Sequence, residues 1–114
     1  MACRSAILAV ERNIELADDT GARLHIQHIS VAESVGLVRQ AKADGIRVAA
    51  EACPHHFTLT SEVLPELGSL AKMNPPLRRH RDVQAVTQGL LDGTIDAIAS
   101  DHAPHTADEK ARGL

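Results

Sequence analysis

At 114 residues and a formal net charge of −3, the chain has room for one small domain and lacks the basic surface that nucleic acid requires. Its only local basic cluster, Arg78, Arg79 and Arg81, includes no aromatic residue and reads as the solvated start of a helix. Phe57 is the sole aromatic side chain, so a core has to come from Leu, Ile, Val and Ala. Two cysteines, Cys3 and Cys53, make neither a disulfide framework nor a C-x-x-C motif, and read as reduced thiols of a cytoplasmic protein. The apolar run within residues 1–10 is too short to span a membrane and leads straight into charged helical sequence, unlike a signal peptide.

Residues Ser5 to Asp19 carry apolar side chains at Ile7, Leu8, Ile14 and Leu16 with charges between them, the pattern of an amphipathic helix stopped by Thr20-Gly21. Arg23 to His28 alternates as a short strand does. Glu33 to Ala43 is helical in pattern, with Val35, Leu37, Val38 and Ala41 on one side and Asp44-Gly45 as its stop. Ile46 to Glu51 is a second strand, followed by a loop over 52–60 that contains Cys53-Pro54-His55-His56. Ser61 to Leu67 fits a short helix with Ser61 as its cap. Ser69 to Met73 is a brief third strand that runs into Asn74-Pro75-Pro76, where neither regular element can continue. Arg81 to Leu91 is a helix ended by Asp92-Gly93, and Ile95 to Ser100 is the fourth and most apolar strand. Strands and helices in alternation predict an α/β fold with about four parallel strands and right-handed crossovers.

In such an array the C-terminal ends of the strands point to one face, where active sites are built. His28 ends the first strand, Glu51 the second, Asn74 follows the third, and Asp101 with His102 and His105 follows the fourth. Taken singly, His28 is better explained by a structural role, but together with Asp101 on the same face it reads as a metal ligand. His25 alternates with apolar neighbours and is assigned to packing, and His80, just before a helix, to the surface. His55 and His56 either hold loop backbone or face the site. Imidazole and carboxylate suit Zn²⁺, which with an open position brings the pKa of water down to about 7. Asp101 then suits general acid/base work, and Asn74 and His105 suit the orientation of a polar substrate.

The segments Leu24-His-Ile-Gln-His-Ile-Ser30, Ala50-Glu-Ala-Cys-Pro-His-His56, Lys72-Met-Asn-Pro-Pro-Leu-Arg78 and Asp92 to Thr106, with its Asp-His-Ala-Pro-His, resemble the dihydroorotase family. The similarity is to the type related to allantoinase and hydantoinase within the amidohydrolase superfamily, and it covers essentially the whole chain. It implies a partial (β/α)₈ TIM barrel, with residues 1–114 as the C-terminal half of the catalytic domain, a fragment expected to be inactive and of marginal stability or self-associating when alone. By the same resemblance His28 and Asp101 ligate zinc, Asp101 is the general acid/base, and Asn74 and His105 bind the dihydroorotate ring and carboxylate. The family's His-x-His pair and bridging carboxylate do not occur here. The implied reaction is the interconversion of N-carbamoyl-aspartate and dihydroorotate in pyrimidine synthesis. The alternatives are an allantoinase or hydantoinase, or a non-catalytic subunit that scaffolds aspartate carbamoyltransferase. A homo-oligomer is compatible with any of these, and neither nucleic acid nor membrane is an expected partner.

Overall fold

The computed structural model describes residues 3–58 and 78–100. The first helix, α1 (Cys3–Thr20), leads through Gly21 into β1 (Leu24–Ile26); α2 (Ala32–Ala43) crosses back to β2 (Val48–Ala52). A short helix, α3 (Pro54–Thr58), follows at once, and then α4 (His80–Leu91) and β3 (Ala97–Ile98). The strands form one parallel sheet in the order β1-β2-β3. Leu24 pairs with Val48 and Ile26 with Ala50 on one side of β2, while Glu51 pairs with Ala97 and Ala52 with Ile98 on the other.

Strand alternation divides the sheet's two faces. Ile26, Val48, Ala50 and Ala52 join Val35, Val38 and Ala41 of α2 and Val86 of α4 in one apolar cluster, closed by Ile29 and Ile95. The opposite parity, His25 of β1 with Ala49 and Glu51 of β2 and Cys53 just beyond, belongs to the other face. With so little aromatic volume available, the helix–sheet layer depends on close approach. At Gly89 of α4 a β-carbon would come to 3.0 Å from both Val35 Cγ1 and Ile95 Cδ1, so the helix sits where only glycine fits without displacement.

The helix stops expected at Gly21, Gly45 and Gly93 are present, each glycine with positive φ. Elsewhere the structure differs from the expectation. On α1 the buried positions are Val10 and Ala17, whereas Leu8 and Leu16 are each 54% exposed. The loop over 52–60 begins with α3 instead, Pro54 standing at its first residue, where a missing N–H costs nothing. Arg78 is not surface: it is buried and donates Nε–H to Ser30 Oγ at 3.1 Å. Arg79 and Arg81 are exposed as expected, Arg81 pairing with Glu33 of α2, and so is His80. The helix expected over 61–67 and the strand over 69–73 lie outside the described residues. Among those described, no helix is long and apolar enough to cross a membrane.

Candidate metal centre

The second strand delivers two chemically active side chains to one face because Glu51 and Cys53 are two residues apart at its C-terminal end. The third comes from β1. After Ile26 the chain turns, and His28 takes φ +55°, the only described non-glycine residue with positive φ. Histidine is tolerated there more readily than most residues, but the conformation still costs on the order of 1 kcal/mol. The Ile29 amide then donates to the Glu51 carbonyl at 2.9 Å and fixes the turn against β2.

The result is a tight cluster. His28 Nδ1 lies 3.1 Å from Cys53 Sγ and 3.7 Å from Glu51 Oε2. The donor atoms of these three residues all fall within 4.8 Å of one another. The other Glu51 oxygen, Oε1, is 2.8 Å from His25 Nε2. His25 is therefore not a packing residue: its side chain is 47% exposed and it reaches diagonally across the strands to the carboxylate two positions beyond its partner Ala49. Cys53 is fully buried, and Glu51 and His56 nearly so. A cleft of about 400 Å³ opens between α1 and the β1–α2 connection, with Asn13, His25, Gln27, His28 and Ser30 in its wall.

One nitrogen, one sulfur and one carboxylate oxygen in this space form a donor set of intermediate softness, which fits a borderline divalent ion of the zinc type. The face anticipated for His28 is thus a converging site, but its described companions are Glu51 and Cys53. Asp101, Asn74 and His105, and the side chain of His55, lie outside the described residues. Cys53 escaped the sequence reading because thiol ligands are sought as C-x-x-C pairs, and its neighbour here is a histidine 25 residues earlier. The available signal was the i, i+2 spacing of Glu51 and Cys53 at a strand end.

No family model matches the sequence. Solved structures do match the fold. The L-hydantoinase (dihydropyrimidinase) from Arthrobacter aurescens superposes with a TM-score of 0.86 at 30% identity, over 94% of this chain and 24% of its own. A D-hydantoinase from Bacillus sp. AR9 gives 0.88 at 26% identity, over 92% of this chain and 24% of its own. The Saccharomyces cerevisiae dihydroorotase solved with 5-fluoroorotic acid gives 0.75 at 19% identity, over 90% of this chain and 30% of its own, a likeness of fold alone. The parallel α/β layer is one the chain shares with these solved proteins of the amidohydrolase superfamily.

Within that class the sequence is more particular. The dihydroorotase of Pelotomaculum thermopropionicum is 59% identical over 101 residues, or 89% of this chain, and that of Anoxybacillus flavithermus is 54% identical over 112 residues, or 98%. The chain is homologous to the dihydroorotases and spans about a quarter of the length of these curated relatives.

Proposed function

We propose that the chain is part of a zinc-dependent dihydroorotase, a cyclic amidohydrolase of the cytoplasm that interconverts N-carbamoyl-aspartate and dihydroorotate in pyrimidine synthesis. The observation that carries this reading is the 53–59% identity to curated dihydroorotases, against 24–32% for the hydantoinases of the same fold. The chain would form four consecutive strands of a (β/α)₈ barrel, the C-terminal half of the catalytic domain.

In this reading His28 and Asp101 hold the zinc. When bound, the ion would polarise the ring amide and acidify water to a pKa near about 7. Asp101 takes the proton from the attacking water and returns it to the leaving nitrogen. Asn74 and His105 bind the ring and its carboxylate. Glu51, held between His25 and His28, orients the imidazole of the latter, as carboxylates commonly do behind histidine ligands.

The alternative of a non-catalytic scaffold for aspartate carbamoyltransferase is disfavoured by the retention of His28 within a converging donor set. The test is turnover of dihydroorotate, hydantoin and allantoin by the full-length protein, before and after chelation. Dihydroorotate is the expected substrate, with activity lost to chelator and restored by Zn²⁺. His28→Ala should lower kcat/KM by about 100-fold or more, beyond the 10–100-fold typical of an outer-shell change. Preference for hydantoin or allantoin, or activity indifferent to chelator, would overturn the reading.

A further inference from the structure

We infer that Arg78 is a positioning residue for the proposed reaction, its guanidinium bracing from the α4 side the turn that carries His28. The inference rests on the dihydroorotase reading above. That turn is strained and needs support: His28 has φ +55°, and a non-glycine residue persists there only where its surroundings over-determine the backbone. On the β2 side the support is the Ile29 amide, which donates to the Glu51 carbonyl at 2.9 Å. On the other side it is Arg78, whose Nε–H donates at 3.1 Å to Ser30 Oγ, two residues beyond His28. Both partners are buried, Arg78 6% and Ser30 3% exposed. Ser30 also stands with His28 in the wall of the cleft, so this bond backs the wall of the site itself.

Arg78 is well placed to hold a position. It directly precedes Arg79, the cap residue of α4, and that helix is seated in the core through Val86. A guanidinium withdrawn from water is costly unless its N–H groups meet fixed acceptors, and its planar fork then holds an acceptor in one direction.

The same segment sends two further tethers to the β1–α2 connection, and they meet it farther from His28. Asp82 accepts the Ala32 amide at 2.8 Å, and Arg81 pairs with Glu33. Those two fasten the start of α2, whereas Arg78 reaches the turn. A misplacement of about 1 Å at a reacting centre lowers a rate by about 100-fold, so slack in this turn is expected in turnover.

The experiment compares variants of the full-length protein at saturating Zn²⁺. Arg78→Met keeps the length of the side chain and removes its N–H donors. It should lower kcat for dihydroorotate by about 10–100-fold with KM within about 3-fold of wild type, and speed amide exchange at Ile29 by at least about 10-fold. Arg78→Lys, which restores a donor, should recover most of both. Ser30→Ala should reproduce the loss, and adding Arg78→Met to it should lower kcat little further, because the two changes remove one contact. Arg81→Ala, at the neighbouring tether, should leave kcat and the Ile29 amide unchanged. Should Arg78→Met not fold, Ser30→Ala reads the same contact. A kcat within about 3-fold of wild type in the folded Arg78→Met or Ser30→Ala protein, or an equal loss in Arg81→Ala, overturns the inference and leaves the dihydroorotase reading standing. A wild type that turns over no dihydroorotate overturns both.

Discussion

Glu51 links two histidines with its two oxygens, 2.8 Å from His25 and 3.7 Å from His28, while its own carbonyl receives the Ile29 amide. One residue thus sets both the orientation of the His28 ring and the path of the loop that carries it. Glu51→Gln keeps the shape and the backbone bond but removes the charge. The expected outcome is a metal affinity reduced by about 10–100-fold with little change in the urea midpoint of the apo protein. Calorimetric metal titration beside urea unfolding checks this, and an unchanged affinity would relegate Glu51 to holding the loop alone.

At the level of elements, the helices are tied in by carboxylates from outside their own turns. The cap residue of α2 is Val31, which offers no side-chain acceptor. Buried Asp82 of α4 fills that role, accepting from the Ala32 amide at 2.8 Å across 50 residues of sequence. Asp82→Ala should therefore lose about 1–2 kcal/mol of unfolding free energy, with most of it regained in Asp82→Asn, as read by urea denaturation. Asp92, at the end of α4, accepts from the Thr94 hydroxyl and amide and then from Arg39, which together bring its carboxyl from 3.8 to about 2. Its pKa is lower folded than unfolded, so its contribution is complete above about pH 4–5 and is lost as the pH falls toward about 2. The difference in urea midpoint between wild type and Asp92→Asn should accordingly be constant near neutrality and close as the solution is acidified through that window. Asp96 follows the same sign. Partial burial raises its pKa, but hydrogen bonds from Lys42 and the Ala50 amide, with the charges of Lys42 and His25, prevail and leave it lowered.

For the molecule as a whole, the alternation of strands and helices was legible because α1, α2 and α4 each stop at a glycine (Gly21, Gly45 and Gly93) and a short apolar run that forms a strand follows each stop. The polar face was legible in outline, since His28 and Glu51 stand at or just beyond strand ends. What sequence did not disclose is contact across long separations. Arg78 reads as surface within a basic run, and only the fold supplies Ser30 beside it; Cys53 reads as an inert thiol until β1 brings His28 over it. Leu8 and Leu16 illustrate the converse, for helical spacing makes them apolar positions without saying whether anything covers them. Together with Leu91 and Ile98, 77% and 61% exposed, they leave substantial apolar surface on this chain. Expressed as these 114 residues alone, it should associate, with a sedimentation coefficient that rises with concentration; a sharp, concentration-independent monomer would show that this surface is tolerated in water.

The central position of β2 has a consequence for how the chain breathes. The strand is bonded on both sides, and at Ala50 the amide donates to the Asp96 carboxylate while the carbonyl accepts from the Asp96 amide. Among the described residues β1, by contrast, pairs with β2 alone. Amide exchange with deuterated solvent should then be slowest along β2 and faster around His28, so that Glu51 and Cys53 stand on the most persistent element while the histidine joins them from a more labile one. An ion bound at His28 would steady that more labile side, and its arrival would be recorded as slowed exchange at Ile29 with little change at Ala50.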